Sequence, residues 1–278
     1  MKGLIVTADD YGAAREVNDA VEEAHAHGIL TAGSLMVAAP AAADAVTRAK
    51  AMPSLRVGLH IVLVEGRPML PASAIPDLVD GSGNFRTDMA VSATEMFFRP
   101  SVRRQLTHEI EAQFDAFRAT GLRLDHVNTH KHFHLHPTIA NVILKVGKAH
   151  GMRAMRVPLE PRGVLAAAEP GVTVPPAYAT GPWARLSRHR LRQAGLVIPD
   201  AVFGLAWSGA MTAARLHGLI AHLPEGLSEI YLHPATAGDF EGAAPGYRYA
   251  EELAALTDAG VIAAARNPDI RLGGFVDF

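Results

Sequence analysis

The residues with the clearest chemical capacity are five histidines that fall within eleven positions, from His126 to His136. The whole chain has 14 histidines in 278 residues, so chance clustering explains this density poorly. Imidazole is the commonest metal ligand among protein side chains, and aspartate supplies a hard oxygen donor. Two adjacent carboxylates, Asp9 and Asp10, follow the first apolar run of the chain. The combination predicts a divalent metal site in a hydrolase.

Further candidate groups follow other predicted strands. His60 comes after an apolar run at residues 57–59, and His233 comes after another at 230–232. Arg156 lies among apolar neighbours, and we weigh a site role for it equally against a surface charge. A single histidine of this kind is more often a hydrogen-bonded core residue, and one carboxylate of the pair could serve only as a helix cap. Candidate residues follow four predicted strands, which favours a shared site: Asp9 with Asp10, His60, His130 and His233.

Short apolar runs alternate with stretches of helical periodicity, which is typical of β-α-β units. We therefore predict an α/β fold in a single domain over residues 1–278, an irregular (β/α) TIM-like barrel, with a doubly wound open sheet as the alternative. The segments at 64–93 and 160–182 are rich in Pro and Gly and are predicted to be lids or binding loops. Strands are expected at residues 4–7, 34–37, 56–60, 122–127, 154–157, 201–205, 229–232 and 270–275, and helices at 14–27, 41–52, 102–119, 137–150, 183–194, 213–222 and 249–266.

The composition narrows the class of protein. A net charge of -2 with 19% charged residues lacks the basic excess of nucleic-acid-binding proteins, so we expect no nucleic-acid partner. Cysteine is absent, which restricts any metal to nitrogen and oxygen ligands. No apolar stretch of 18 residues and no signal-like start occur, so we expect a soluble cytoplasmic protein. No obligate protein partner is indicated.

Four segments, in the same order along most of the chain, resemble the YdjC-like carbohydrate deacetylases: Thr-Ala-Asp-Asp-Tyr-Gly at 7–12, Val-Gly-Leu-His at 57–60, His-Val-Asn-Thr-His-Lys-His-Phe-His at 126–134 and Leu-His-Pro at 232–234. Within the family the chain is most similar to the hopanoid-biosynthesis-associated branch (HpnK), and Trp-Ser-Gly at 207–209 is similar too. The resemblance implies an irregular barrel that removes N-acetyl groups from amino sugars with a divalent metal.

The resemblance also implies roles for individual residues. In one respect the chain departs from the family pattern, because Asn128 stands where an Asp is expected. We predict that Asn128 orients a ring nitrogen of a ligand histidine. Arg156 is a further catalytic candidate. The implied metal ligands are Asp10, His60 and His130, the implied base is Asp9, and the implied acid is His233.

The spacing of the clustered histidines leaves open which of them bind metal. An extended strand would place the even-numbered histidines on one face, but Pro137 predicts that a helix begins there. We favour His130, and His134 after it. Two imidazoles and one carboxylate favour zinc, while magnesium, which prefers oxygen ligands, is the alternative. Substrate contacts, with packing roles as the alternative, are expected from Tyr11, Asn128, His132, His134 and Trp207.

The expected reaction is deacetylation of an N-acetylglucosaminyl conjugate, with N-acetylglucosaminyl bacteriohopanetetrol as the substrate that the branch implies. The alternatives are a chitooligosaccharide deacetylase, a metal-dependent phosphoesterase and a non-catalytic protein that binds metal or carbohydrate. A basic helix predicted at residues 183–192 carries four arginines, and we hypothesise that it contacts an anionic membrane surface, which would make the protein peripheral to the inner membrane. A solvated basic face is the commoner explanation of such a helix.

Overall fold

The strands of the computed structural model, which describes residues 2–173 and 181–278, are all parallel. Within those residues seven strands form one sheet in the order β4-β3-β2-β1-β6-β5, and β7 pairs with the first residues of β1. The predicted α/β fold with a parallel sheet is confirmed. The strands are β1 (Lys2–Tyr11), β2 (Ala32–Leu35), β3 (Arg56–Ile61), β4 (Val127–Thr129), β5 (Ala201–Phe203), β6 (Gly226–Leu232) and β7 (Ile270–Leu272).

The helices largely follow the apolar periodicity of the sequence. Pro100 and Pro137 stand in the first turns of α4 and α5, where a missing backbone N–H costs little. The helix expected at 249–266 is wrong as one element, because the Asp258 side chain caps a second helix there. The helices are α1 (Arg15–His27), α2 (Ala42–Ala51), α3 (Met89–Phe98), α4 (Pro100–Ala119), α5 (Pro137–Ala149), α6 (Arg162–Ala168), α7 (Gly181–Gln193), α8 (Ala213–Ala221), α9 (Tyr249–Leu256) and α10 (Ala259–Ala265).

The sheet curves into a half-barrel that does not close. The strand expected at 154–157 is wrong: Met155 makes one parallel bridge to Val127 of β4, and Ala154 makes one to Val197. These single bridges lie in the gap between β4 and β5, where the described chain has no continuous ladder. Pro158 follows and has no backbone N–H to donate, and the Arg156 side chain turns into the interior.

The interior of the half-barrel changes from apolar to charged along β1. Successive residues of a strand face opposite sides, so alternate residues of β1 enter the interior. Ile5 packs with Ala32 and Phe275 in an apolar cluster. Two residues further on, Thr7 donates a hydrogen bond to Glu229, and Asp9 follows in contact with Arg156. Polar chemistry is therefore concentrated towards the carboxyl ends of the strands.

The two segments predicted as loops contain helices that the periodicity did not indicate. The first includes the start of α3, which the Asp88 side chain caps by accepting from two backbone N–H groups. The second contains α6, while its residues 174–180 lie outside the described residues. No helix among the described residues is both long enough and apolar enough to cross a membrane.

Candidate active site

A β-bulge at the end of β1 separates the two adjacent carboxylates. The pairing of β1 with β2 shifts register between Ala8 and Tyr11, and Asp10 has a positive φ of 60°. Aspartate is one of the few residues that tolerate this left-handed conformation. In a regular strand Asp9 and Asp10 would face opposite sides, but here both line one cleft. The bulge therefore makes both carboxylates available to one site.

Asp10, His60 and His130 form the candidate metal centre. Asp10 Oδ1 lies 3.2 Å from His60 Nε2 and 3.2 Å from His130 Nδ1. The potential ligand atoms of the three residues all lie within 4.8 Å of one another. They come from the ends of β1, β3 and β4, as the sequence predicts. Although burial opposes ionisation, the two imidazoles hold the pKa of Asp10 well below its ordinary value, so the carboxylate is charged.

The Asn128 amide connects this centre with Asp9. Asn128 Oδ1 lies 2.6 Å from His60 Nδ1, and Asn128 Nδ2 donates to Asp9 Oδ1 at 3.0 Å. The amide oxygen accepts from the Nδ1–H of His60, so the other ring nitrogen, Nε2, faces Asp10. Asn128 thus contacts a ring nitrogen of a candidate ligand, as its predicted role requires.

Asp9 is held in a buried ion pair. Arg156, which has no exposed surface, donates to Asp9 Oδ2 at 2.5 Å and to Oδ1 at 3.0 Å. The same guanidinium donates twice to Glu229 Oε1, at 2.6 and 3.0 Å, and lies 4.4 Å from the centre of the Tyr231 ring. Burial alone would raise the pKa of Asp9, but the charge of Arg156 lowers it well below its ordinary value. The surface-charge interpretation of Arg156 is wrong.

His233 completes the polar lining of the cleft. It follows β6 and lines the cleft together with Asp9, Asp10 and His130. Its backbone N–H donates to Glu252 at 2.5 Å, while its buried Nδ1 has no hydrogen-bond partner in the described protein. One ring nitrogen is therefore available to a substrate.

The clustered histidines point in different directions. Lys131 and His132 both have a φ of 53°, so the chain turns sharply after His130 instead of staying extended. His132 Nε2 lies 2.9 Å from the Tyr231 hydroxyl, and His134 Nδ1 lies 2.7 Å from the Thr129 hydroxyl. Burial, reinforced by the nearby Arg156 charge, lowers the pKa of His134 to about 3, so its ring is neutral. Among the described residues neither His132 nor His134 joins the candidate metal group, and His130 is the one clustered histidine that does.

Two residues expected to contact substrate are placed in the packed interior. Tyr11 has no exposed surface and donates its hydroxyl hydrogen to the Ala45 carbonyl at 2.7 Å. Trp207 is 4% exposed, and the Arg215 guanidinium lies 5.3 Å from its ring centre. Neither residue lines the cleft, so the structure favours the packing alternative for both.

Two buried carboxylates that the sequence patterns do not single out support the site. Glu229 has no exposed surface and shares Arg156 with Asp9, and Glu252 holds the backbone of His233. A signal existed for Glu229, because a charged residue inside the apolar run of β6 has to be paired. No comparable signal marks Glu252, which lies on a helix next to one other acidic residue, Glu251.

A parallel α/β half-barrel with an Asp-His-His centre at the ends of its strands defines a candidate metal-dependent enzyme. A model of the YdjC-like protein family matches residues 3–267, so the chain belongs to that family. The predicted family is confirmed.

The relatives found by sequence include several carbohydrate deacetylases. The protein of that name from Geobacillus stearothermophilus is 29% identical over 279 residues, which cover 99% of this chain and 97% of that protein. The one from Brevibacillus brevis is 39% identical over 149 residues, 53% of this chain. The matched region spans only 56% of the Brevibacillus protein. Their shared name gives an activity and no branch of the family.

A solved structure shares the fold. The crystal structure of a proposed cellobiose-phosphate cleavage protein from Enterococcus faecalis superposes with a TM-score of 0.78 at 24% identity, covering 99% of this chain and 98% of that one. The likeness establishes a common architecture over the whole chain.

Proposed function

We propose that the protein is a metal-dependent carbohydrate deacetylase that hydrolyses the N-acetyl group of an amino-sugar conjugate. One observation carries the proposal: the Asp10-His60-His130 group, Asp9 and His233 meet around a single cleft. Amide hydrolysis needs an activated water, stabilisation of the oxyanion and a proton for the leaving nitrogen. The cleft has a candidate for each requirement.

The three grouped side chains fit a divalent metal ion. His60 Nε2 is buried and has no hydrogen-bond partner with suitable geometry, although Asp10 lies nearby. A buried nitrogen without a partner is costly unless a ligand occupies its lone pair. A bound divalent ion supplies Lewis-acid activation of water and of a carbonyl. We propose zinc, because two nitrogens and one oxygen suit it, and we keep magnesium as the alternative.

The protein groups beside this centre supply proton transfer. Asp9 lines the cleft as a carboxylate, the form that accepts a proton from the attacking water. Arg156 fixes the position of the Asp9 carboxylate through two hydrogen bonds. His233 presents a ring nitrogen with no partner in the described protein, which can donate a proton to the departing amine.

The walls of the cleft suit a sugar that carries an acetyl group. Met36, Val62 and Phe240 contribute apolar surface, and Arg67 and Glu241 add charged groups. Sugar rings combine apolar faces with polar edges, so this mixture is appropriate for carbohydrate. From the family resemblance we propose an N-acetylglucosaminyl lipid of the hopanoid type as the substrate, with chitooligosaccharides as the alternative.

Fewer arginines of α7 are available to contact a membrane than the sequence indicates. Arg188 donates to the Asp200 carbonyl, and Arg192 donates to the Ile198 carbonyl, so both arginines hold the following segment. The exposed residues Arg185, Leu186 and Arg190 are the remaining candidates for a membrane surface. Sedimentation with anionic vesicles should fall when Arg185→Gln and Arg190→Gln are combined; equal sedimentation of the double variant and the wild type would remove α7 from the proposal.

The deciding experiment measures acetate release by mass spectrometry from an N-acetylglucosaminyl hopanoid and from chitobiose. Zinc-loaded wild type is compared with Asp9→Asn, for which we expect a loss of about 10²–10⁴-fold because proton abstraction fails. Asp239→Asn, a change at an exposed aspartate, is the matched control and should retain full activity.

Each outcome of that experiment has a distinct meaning. Acetate released from the lipid alone supports both the deacetylation reaction and the hopanoid substrate. Acetate released from chitobiose alone supports the reaction but favours a chitooligosaccharide as the substrate. Full activity of the metal-free protein would overturn the metal requirement. A zinc-loaded wild type that releases no acetate from either compound would overturn the deacetylase proposal and favour a protein that only binds metal or carbohydrate.

Structural support for the phosphoesterase alternative is weak. Such enzymes commonly use two metal ions about 3.5–4 Å apart. Within the described residues a single group of three His, Asp or Glu side chains is close enough to hold a metal. A one-metal deacetylase therefore fits the site better.

A further inference from the structure

The polar contacts of Asn128 continue into the interior through residues that the proposed reaction does not use. Ser34 Oγ lies 2.9 Å from Asn128 Nδ2 and 2.9 Å from His126 Nε2. His126 Nδ1 in turn lies 2.9 Å from Asp125 Oδ2. Ser34 and His126 have no exposed surface, and Asp125 is 2% exposed. We refer to Asp125, His126 and Ser34 as the buried array.

The surroundings of the buried array fix its position. The Asp125 carboxylate accepts from the backbone N–H groups of Phe275 and Val276, at 3.2 and 3.0 Å. The His126 ring stacks on Phe275 with 4.4 Å between ring centres. On β3, a Cβ atom at Gly58 would lie 2.5 Å from the His126 ring, so only glycine leaves room for it. These contacts fix the position of the His126 ring.

The hydrogen-bond partners along this chain of contacts set the direction of each bond. The hydrogen bond with His126 lowers the pKa of Asp125 even though burial opposes ionisation. The charged carboxylate accepts, so His126 carries its proton on Nδ1 and presents Nε2 as an acceptor. The Ser34 hydroxyl then donates to Nε2, and its oxygen is left to accept from the Asn128 amide nitrogen.

Both N–H groups of the Asn128 amide therefore donate hydrogen bonds, and both acceptors lie on the side away from His60. One N–H points to Ser34 and the other to Asp9, so the amide oxygen faces His60. A rotated amide would turn its oxygen towards the Asp9 carboxylate, and this contact between two acceptors would be repulsive.

We infer that the buried array positions the Asn128 amide and thereby holds His60 in the tautomer whose Nε2 is free for a metal ion. The array contacts neither substrate nor metal, so its members are positioning residues. This inference rests on the metal site in the proposed function. It assigns a role to His126 and Asp125, which belong to the histidine-rich segment but lie outside the proposed reaction.

The test uses Ser34→Ala, which removes one hydroxyl, and His126→Phe, which keeps an aromatic ring on Phe275. Zinc affinity is measured by competition with a chelator. Loss of an outer-shell contact typically costs about 10–100-fold in metal affinity, and we expect about tenfold for each variant. Ser228→Ala is the matched control, because Ser228 is a buried serine on β6 whose hydroxyl has no partner.

A second measurement does not depend on metal or on the variants. Nitrogen-15 NMR of the histidine rings in the metal-free wild type, recorded at a pH high enough that the His60 ring is neutral, reports the tautomer of His60. We expect the single proton on Nδ1; a neutral ring with its proton on Nε2 would overturn the inference, even if Ser34→Ala fails to fold.

The two measurements separate failure of the inference from failure of the proposed function. A wild type that binds no zinc but has His60 protonated on Nδ1 contradicts the proposed metal site and leaves the orienting role standing. A wild type that binds zinc, with Ser34→Ala binding as tightly as Ser228→Ala, contradicts the inference and leaves the metal site intact.

Discussion

Replacing Arg156 with methionine tests whether the fold needs the buried positive charge of Arg156. Arg156 donates four hydrogen bonds, two to Asp9 and two to Glu229, and none of the three residues is more than 2% exposed. Methionine fills much of the same volume without charge. Removing one partner of a buried ion pair typically costs about 3–5 kcal/mol, because an uncompensated charge remains in the interior. Here two carboxylates lose their partner, so we expect the upper part of that range.

The cost should depend on pH in a defined direction. In the wild type the pKa of Asp9 is lowered, so its stabilising contribution is complete above the ordinary value of 3.8 and is lost as the pH falls through the lower folded-state pKa. Without Arg156, burial dominates and raises the pKa of Asp9 above the unfolded value. The variant is then least stable, relative to wild type, at neutral pH, and the difference shrinks as the pH falls from roughly 7 to 5 because the carboxylate becomes protonated.

Urea unfolding of the metal-free proteins at several pH values measures both effects. Arg118→Met, a change in an ion pair whose side chains are 74% and 54% exposed, serves as the control and should unfold like the wild type. A difference between Arg156→Met and wild type below about 1 kcal/mol, or one that does not change with pH, would refute the assignment of Arg156 as the compensating charge.

Three further outcomes are expected. His130→Ala should lose zinc binding while His134→Ala keeps it, because His130 belongs to the candidate metal group and His134 does not; calorimetric titration distinguishes the two, and equal losses would contradict the ligand assignment. Zinc at 100 times its dissociation constant should stabilise the fold by about 2.7 kcal/mol, and an unchanged melting temperature would argue against a site in the folded state. Gly58→Ala should lower the unfolding free energy by about 1–3 kcal/mol, since its Cβ would overlap the His126 ring; an unchanged urea midpoint would contradict the packing described there.

The sequence predicted the parts of the fold that depend on local pattern. The apolar runs and caps identify most helices and strands, and the polar residues after β1, β3 and β6 identify the edge of the sheet that carries the site. The segment at 154–157 has the composition of a strand, yet it pairs through single residues only, because the continuity of a ladder depends on its neighbours. Closure of the barrel could not be derived from the sequence for the same reason.

The finer structure of the site depends on contacts between residues far apart in the chain. The role of Asn128 was predicted from chemistry, but its link to Asp9 needed the packing of β4 beside the strands that carry the other groups. The turn after His130 was not predicted, because positive φ values are uncommon in residues other than Gly, and neither Lys131 nor His132 is a sufficient signal for one. This turn decides which histidine reaches Asp10.

The bulge at the end of β1 explains why the site can use two consecutive aspartates for different tasks. A left-handed aspartate costs of order 1 kcal/mol, which the fold tolerates because it brings Asp10 to the histidines while Asp9 remains on Arg156. The two carboxylates are then separated in function by their partners: histidines beside Asp10 favour a shared metal, and a guanidinium beneath Asp9 keeps it charged. Asparagine tolerates the same backbone conformation, so Asp10→Asn removes the ligand charge without adding strain. If zinc affinity falls in Asp10→Asn while the unfolding free energy of the metal-free protein is retained, the charge of Asp10 serves the metal; a large loss of metal-free stability would instead assign Asp10 to the fold.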